Sequence, residues 1–344
     1  MKTLLLRTLA IVPWLLIVGC NESADSTAKA MRPDKDPYPS TYIVPNNAEF
    51  AILRANILTG DGAELRNTDL VISDGKIVAL GTALDLDDSI SRVDAAGKWV
   101  TPGLIDVHSH MGVYSAPGTA NHSDGNEMTS PVTAQVWAEH SVWPEDPQFE
   151  KALAGGVTTV QILPGSGNLI GGRGVTLKNI PSVTVQGMKF PNAPYSLKMA
   201  CGENPKRVYG SRNTLPSTRM GNMAGYRTAW IEASDYKKSW DDYISDAKAG
   251  KDVDPPSRDL RLETLAGVLE GDIRIHNHCY KADEMAQMID MSKEFGYEIA
   301  AFHHAVEAYK AAPMLAENDI CGVMWADWWG FKQEAFDMVR ENIA

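Results

Sequence analysis

The chain has 344 residues, a hydrophobic content of 44%, a charged content of 22% and a formal net charge of -12. This composition is ordinary for a globular protein, and it excludes a disordered chain, a collagen-like repeat and a small disulfide-rich scaffold. The acidic balance argues against nucleic acid as a partner, because an acidic chain has no general means of neutralising phosphates.

The first 47 residues are predicted to be a targeting segment followed by a tether. Lys2 and Arg7 accompany an apolar run that is too short to span a bilayer comfortably and that ends at Cys20. The run resembles a bacterial lipobox, which implies removal of residues 1–19 and a lipid anchor on Cys20; the alternative is an ordinary signal peptide with an incidental cysteine. Asn21 favours an outer-membrane location facing the periplasm. Residues 20–47 are polar and proline-rich, as a tether is.

Three further cysteines follow at positions Cys201, Cys279 and Cys321. An odd number in an oxidising compartment argues against a complete disulfide framework. We therefore expect them to be buried small apolar residues.

Residues 48–100 are predicted to form a small β-domain. Short apolar runs such as 50–53 and 69–72 alternate with turn clusters at 60–62 and 73–75.

Residues 101–344 are predicted to alternate strands with helices, which implies βα units around a parallel sheet. The candidate strands of this sheet are 99–107, 156–162, 182–185, 195–200, 273–278, 297–304 and 320–325. Helical apolar spacing lies between the later strands, for example at Leu262, Leu265, Ala266 and Leu269. The polar stretch 202–259 is predicted to be a long loop insertion over the site.

Histidines mark the ends of three predicted strands. Of the 8 histidines in the chain, six lie there, namely His108, His110, His276, His278, His303 and His304. Two histidines at i and i+2 of a strand project from the same face, and neutral imidazoles are metal ligands. Because strand neighbours alternate in direction, we do not expect all six to face inward. The pattern predicts a metal site at the carboxyl ends of the strands, where active sites of α/β barrels lie.

Several motifs together identify a family. Residues 101–110, with Asp106-Val107-His108-Ser109-His110 at their end, resemble the opening metal motif of the amidohydrolase superfamily. Residues 155–159 resemble its second-strand motif, and 304–309 resemble the sixth-strand histidine motif of the imidazolonepropionase-like and prolidase-like branch. The resemblance implies a (β/α)8 TIM barrel over residues 101–344, preceded at 48–100 by the N-terminal half of a small β-sandwich.

The resemblance also implies a ligand set. His108, His110, His278 and His304 match the family's histidine ligands, with His276 as the second choice to His278. The fourth-strand position, a carboxylated lysine or a glutamate in binuclear members, falls on Glu203 or, as the second choice, on Lys198. One or two divalent ions are implied, with Zn²⁺ as the expected metal. The family often forms dimers, and the sequence leaves a homodimer open.

One part of the family pattern is missing. The family's eighth strand carries an Asp that acts as general base, whereas here the seventh candidate strand is followed only by Asp327 and the last residues to Ala344. The sequence therefore predicts an incomplete barrel from a C-terminally truncated chain, and the catalytic base stays unidentified.

The expected activity is hydrolysis of a C–N bond in a cyclic amide or short peptide by metal-activated water. The alternative is an inactive or truncated envelope lipoprotein that acts as a binding module. Arg207 and Tyr209 are candidates for substrate contact, and Trp325, Trp328 and Trp329 for a pocket wall. The glycine-rich run 165–174 is predicted to be a close-approach turn beside the site.

Overall fold

The computed structural model describes residues 31–45 and 48–325, which form two sheets with helices. The smaller sheet has the order β3-β2-β1-β4, with β5 also paired to β1. Its strands are β1 (Phe50–Leu58), β2 (Glu64–Ser73), β3 (Lys76–Gly81), β4 (Ser91–Asp94) and β5 (Trp99–Val100). The turn cluster at 73–75 links β2 to β3 as an antiparallel hairpin.

The larger sheet has seven strands in the order β12-β11-β10-β9-β8-β7-β6. They are β6 (Leu104–Ser109), β7 (Val157–Ile162), β8 (Ile170–Lys178), β9 (Ser196–Ala200), β10 (Arg274–His278), β11 (Ile299–His303) and β12 (Cys321–Val323). The helices are α1 (Pro147–Ala154), α2 (Val185–Met188), α3 (Glu203–Gly210), α4 (Arg219–Lys248), α5 (Leu260–Leu269), α6 (Ala282–Phe295) and α7 (Ala308–Glu317). In the part of the chain that the structure describes, no helix is long and apolar enough to cross a membrane.

The larger sheet curls until it is nearly a closed barrel. His108 on β6 and His303 on β11 are separated by four strands in the sheet order, yet their Nδ1 atoms lie 2.7 Å apart. In a flat sheet, neighbouring strands lie about 4.8 Å apart, so five such steps would separate the two by roughly 24 Å. The architecture is therefore a barrel-like α/β fold, and its inner face gathers residues from distant strands.

One strand runs against the others. β8 is antiparallel to both β7 and β9, whereas all other neighbouring pairs in this sheet are parallel. The expectation of a purely parallel sheet is therefore wrong at β8. The predicted strand at 182–185 is wrong as well, because these residues lead into α2 and β8 takes the place in the sheet.

β8 contains glycines that the sequence analysis assigned to a turn. Gly172 and Gly174 lie within this strand, and a Cβ atom on Gly172 would stand 2.4 Å from the backbone oxygen of Val136. On Gly174 it would stand 2.7 Å from the backbone oxygen of Ile162. Only residues without a side chain permit the neighbouring backbone to approach this closely.

Two other predicted elements differ in the structure. The apolar run 99–107 is two strands, β5 in the small sheet and β6 in the large one, because Thr101-Pro102-Gly103 interrupts the run. The stretch 202–259 holds α3 and the 30-residue α4 instead of a loop. The buried stripe of α4 has helical spacing but is carried largely by small and aromatic residues, among them Tyr226, Ala229, Trp230 and Ala233.

Residues 31–45, assigned to the tether by the sequence, lie against the barrel. Asp36 pairs with the buried Lys189, and the backbone oxygen of Lys35 accepts a hydrogen bond of 2.7 Å from Arg173 Nη1. Thr41 donates its backbone N–H to the oxygen of Gln186 at 3.0 Å. We call residues 31–45 the N-terminal strap; the proposed leader and Cys20 lie outside the described residues.

The prediction for the cysteines, buried apolar residues without a disulfide, is wrong in one respect for each of the three. Cys201 and Cys279 are buried, but they form a disulfide with a Cα–Cα distance of 5.2 Å, and Cys321 is a free, exposed cysteine. The bond joins positions 78 residues apart. Closing a loop of this length restricts the unfolded chain, which corresponds to about 4.5 kcal/mol in the chain-entropy account.

Candidate active site and metal centre

Three strand ends bring six imidazole rings into one cluster at the mouth of the barrel. His108 and His110 come from β6 and the residue after it, His276 and His278 from β10, and His303 and His304 from the end of β11. Ring centroids lie 4.8 Å apart for His108 and His303, 5.0 Å for His276 and His303, and 4.8 Å for His278 and His304. We call these six residues the histidine cluster.

Ring nitrogens within the cluster lie in direct contact. Nδ1 of His276 is 2.8 Å from Nε2 of His303, and Nε2 of His108 is 3.3 Å from Nε2 of His110. His110 donates its Nδ1–H to the backbone oxygen of Leu163 at 2.8 Å. This bond fixes the tautomer and leaves the Nε2 lone pair of His110 directed toward His108.

The cluster includes both His303 and His304, although adjacent residues of a strand face opposite sides. β11 ends at His303, and His304 has a positive φ of 55°, in the left-handed region. The alternation of side-chain directions therefore ends with the strand at His303, one residue before the end of the predicted strand 297–304. The ring of His304 consequently lies 4.3 Å, centroid to centroid, from that of His108.

Lys198 lies on the strand beside the cluster. It is on β9, its register partner on β10 is His276, and its side chain is buried. Its Nζ donates to the backbone oxygen of Pro164 at 3.1 Å, and it forms no ion pair with any residue that the structure describes. Burial lowers the pKa of the Lys198 amine to about 7, because the charged form loses its hydration.

Four of the six histidines are held in their neutral form. Burial, followed by the charge of Lys198, lowers the pKa of His110 to about 4 and that of His276 to about 4. Burial also places the pKa of His108 and of His303 far below the usual range. Neutral imidazoles present free lone pairs, which is the form that binds metal ions.

Lys198 and Glu203 occupy different parts of the site. Glu203 is the first residue of α3, three residues beyond the end of β9, and its side chain is partly buried. The charge of Lys198 contributes to the lowered pKa of His108, His110, His276 and His303. The sequence analysis preferred Glu203 because it follows the predicted strand 195–200 at the barrel mouth; β9 does end at Ala200, and the chain turns at Gly202, which has a φ of 73°.

Asn204 is a site residue that sequence reasoning did not single out. Its side-chain nitrogen lies 2.8 Å from Ser166 Oγ and 3.2 Å from His278 Nε2, and the residue is buried. It joins the loop after β7 to a histidine of β10. The feature that could have indicated Asn204 is its position in the first turn of a helix that begins at the barrel mouth.

The structure also describes three residues that the sequence analysis proposed for substrate contact or for a pocket wall, namely Arg207, Tyr209 and Trp325. Arg207 lies on the exposed side of α3, and the hydroxyl of the buried Tyr209 donates to the backbone oxygen of Ser130 at 2.6 Å. Trp325 stacks on His304 with a centroid distance of 4.2 Å, as a pocket wall would. Asp327, Trp328 and Trp329 lie outside the described residues.

The arrangement has the chemistry of a site for a divalent metal. Several neutral imidazoles converge with contacts between their nitrogens, one ring is oriented by a backbone carbonyl, and a buried amine stands beside them. Each neutral ring carries one N–H, so the contacts between ring nitrogens can be N–H···N hydrogen bonds. The lone pairs that accept these bonds are also the ones that bind metal ions, so the donor set suits a divalent ion.

Known proteins resemble this chain in sequence and in fold. An amidohydrolase from Thermotoga maritima MSB8 has the same fold with a TM-score of 0.78 and is 36% identical; the match covers 86% of this chain and 74% of that one. Amidohydrolase tasK of Hapsidospora irregularis is 32% identical over 290 residues, which are 80% of this chain and 28% of the relative. An imidazolonepropionase of Bradyrhizobium diazoefficiens is 31% identical over 140 residues, 36% of this chain and 34% of the enzyme.

The curated relatives are longer than the matched region, since the chain spans less than half the length of either of them. No protein-family model matches the chain. The Thermotoga structure decides the assignment, because this chain covers more than two thirds of it at 36% identity. On the strength of that match, the chain belongs to the amidohydrolase superfamily.

Proposed function

We propose that the chain is a metal-dependent hydrolase that cleaves a C–N bond in a small cyclic amide or a short peptide. The observation that carries the proposal is the histidine cluster, in which six imidazoles from three strand ends meet beside the buried Lys198. The names of the relatives, amidohydrolase and imidazolonepropionase, support the same reaction class.

We assign the metal ligands within the cluster to His108, His110, His278 and His304, and we place Lys198 ahead of Glu203 as the fourth-strand ligand. A divalent ion held there, Zn²⁺ in the first instance, supplies Lewis acidity that polarises a carbonyl and makes water acidic. Lys198 fits the role because a neutral amine can take up CO₂ and become a carbamate, which binds metal as a carboxylate does. His276 and His303 position each other's rings beside Lys198 through their contact of 2.8 Å.

The protein's own residues prepare the site for a carbonyl substrate. The backbone oxygen of Leu163 orients His110, Asn204 holds His278, and the Trp325 ring forms an apolar wall against His304. Burial of the cluster keeps bulk water away, which strengthens every electrostatic interaction with a substrate carbonyl.

An eighth strand beside β6 would complete the barrel and provide a place for the general base. Support comes from the outer positions of β6, where Leu104 is 55% exposed and Ile105 is 66% exposed. Among the described strands, β6 pairs only with β7. Apolar side chains on an open strand edge are usually covered by a further element.

We also propose a lipid-anchored location in the bacterial envelope, based on the lipobox-like run before Cys20. The Cys201–Cys279 disulfide supports an oxidising compartment. Incorporation of labelled palmitate into the wild-type chain, and its loss in Cys20→Ser, is the expected result.

A non-catalytic envelope module is the alternative, and the relatives, which are enzymes by name, do not favour it.

The central experiment measures zinc binding and hydrolysis with the full chain. We expect one or two zinc ions per chain and cleavage of one or more members of a panel of cyclic amides, N-acyl amino acids and proline-containing dipeptides. His108→Ala should abolish both, whereas His122→Ala is the matched control, since His122 is an exposed histidine at the end of a short 3-10 helix. Hydrolysis that persists after chelation and in His108→Ala would contradict the proposal.

A further inference from the structure

The Cys201–Cys279 disulfide lies directly at the candidate site. The parallel register of β9 and β10 ends with Ala200 opposite His278, so the two cysteines occupy the next position on each strand. The bond therefore ties together the strand of Lys198 and the strand of His278 at the point where both chains leave the sheet.

Backbone hydrogen bonds continue through the bridged residues. Cys201 donates its N–H to the oxygen of His278 at 2.9 Å, and Cys279 donates to the oxygen of His303 at 3.1 Å. The disulfide thus lies in a ladder that links β9, β10 and β11, the strands that provide Lys198 and four of the six histidines. A change in spacing at the cysteines would be transmitted to those side chains.

The connection between the two strands gives little restraint of its own. The chain between Cys201 and Cys279 contains α3, α4 and α5, and it leaves β9 through Gly202 with a φ of 73°. A long connection fixes the relative position of its ends only weakly. Binding sites require their groups to be held within about 0.5 Å, and a short covalent bridge meets that requirement.

We propose that the Cys201–Cys279 disulfide is a positioning clamp that sets the spacing between Lys198 and His278 and thereby the affinity of the site for its metal ion. This inference rests on the proposed function, since it concerns the same site. Both cysteines are buried, so the clamp is shielded from thiols in solution. Loss of the bond should weaken zinc binding by about 10- to 100-fold, the usual range for residues that orient metal ligands.

The test compares the full chain with Cys201→Ala/Cys279→Val, and Cys321→Ser is the matched control because Cys321 is unbridged and exposed. Non-reducing peptide mapping first establishes the 201–279 link in the wild-type protein. Zinc affinity is then measured by competition with a chelating dye, and the absorption spectrum of Co²⁺ reports ligand geometry. The expected result is weaker zinc binding and an altered Co²⁺ spectrum in the double variant only.

A purely stabilising bond would lower the melting temperature and leave zinc affinity and the Co²⁺ spectrum unchanged, and that result would overturn the proposal. Should the double variant fail to fold, the wild-type protein is reduced with a phosphine, which takes up the oxygen of water as the disulfide becomes two thiols. Reduction is continued until peptide mapping shows Cys201 and Cys279 as free thiols in protein that is still folded. Zinc release to the dye should then accelerate; an unchanged rate in the reduced protein would also overturn the proposal.

The outcomes separate the clamp from the proposed function. A missing 201–279 link in a zinc-binding wild-type protein would overturn the clamp alone. An oxidised wild-type protein that carries the link but binds no zinc would contradict the proposed function and remove the clamp's role with it.

Discussion

Lys198 and His276 face each other as register partners on neighbouring parallel strands, β9 and β10. The pairing places a buried amine beside a cluster of neutral imidazoles, and it accounts for the contribution of Lys198 to the low pKa of four histidines. A buried cation among imidazoles is unfavourable, because burial removes its hydration and none of the described residues forms an ion pair with it. The arrangement becomes favourable when the amine is neutral or carboxylated.

Replacement of Lys198 should therefore impair the metal site more than the fold. We expect Lys198→Ala to lower zinc affinity or kcat/KM by at least about 100-fold, as for residues that complete a metal site. In the metal-free state, the melting temperature of Lys198→Ala should be close to or above that of the wild-type protein, because the substitution removes a buried amine whose charged form is unfavourable. The control is Lys251→Ala, an exposed lysine paired with Asp246. A wild-type carbamate signal after growth in ¹³C-bicarbonate, absent in Lys198→Ala, would support the assignment, and equal zinc affinity in both proteins would contradict it.

The metal-free protein should lose stability as the pH falls from 6.5 to 4. His110 and His276 have a pKa of about 4 in the folded protein, against 6.5 for the free side chain. In this window the unfolded chain binds protons that the folded chain does not, so acid favours unfolding. The cost is roughly 3 kcal/mol for each histidine at pH 4. Denaturant unfolding at several pH values, after chelation, measures it.

Variants identify the source of that pH dependence. His276→Gln should make the free energy of unfolding less dependent on pH, whereas His122→Gln, at an exposed position, should leave the slope as it is. The Lys198 amine adds a second window, since its pKa of about 7 lies below 10.5 and stability should therefore rise further between pH 7 and 10.5. A stability that is flat from pH 4 to 7 would show that the cluster is hydrated and protonated.

Gly172→Ala should destabilise the protein by about 2 kcal/mol or more. The new methyl group would lie 2.4 Å from the backbone oxygen of Val136, and the φ of Gly172 is +119°, which side chains rarely adopt. Gly118→Ala is the matched control, because nothing lies within 4 Å of a Cβ atom there. Thermal unfolding of both variants measures the difference, and equal melting temperatures would contradict the close approach of β8 to residue 136.

Tyr209→Phe tests whether this residue serves structure or substrate. The hydroxyl is engaged with the backbone oxygen of Ser130, so its removal should cost about 1 kcal/mol of stability. With any substrate that the wild-type chain hydrolyses, KM should stay unchanged. A raised KM at unchanged stability would instead restore Tyr209 as a substrate contact.

The sequence predicted the histidine cluster because the signal is local. An apolar strand followed by histidines at i and i+2 needs no knowledge of distant contacts, and the motif around His108 is specific. The choice between Lys198 and Glu203 could not be made in this way, although the predicted strand 195–200 ended at the right residue. It depends on the register of Lys198 with His276 and on the burial of its side chain, which only the tertiary fold determines.

β8 and α4 were missed for a different reason. β8 contains three glycines, which have low strand propensity, and two of them, Gly172 and Gly174, are required by contacts with Val136 and Ile162 that only the tertiary fold creates. The buried face of α4 relies on Ala229 and Ala233, which count little in an apolar pattern although they allow close packing. The disulfide was missed because pairing is a property of the two strand ends in space.

Because β8 runs antiparallel to its neighbours, the N-terminal strap takes over the covering of this part of the sheet. Residues 163–169 join β7 to β8 without a helix, so no helix covers the sheet between these two strands. Residues 35–41 instead contact β8 and the segment after it through Arg173, Lys189 and Gln186. The strap is thus a wall of the barrel made from polypeptide that precedes the small sheet. A recombinant form that began at residue 48 would lack this wall. The side chains of Arg173 and Lys189, which are buried in the full chain, would then become exposed to solvent.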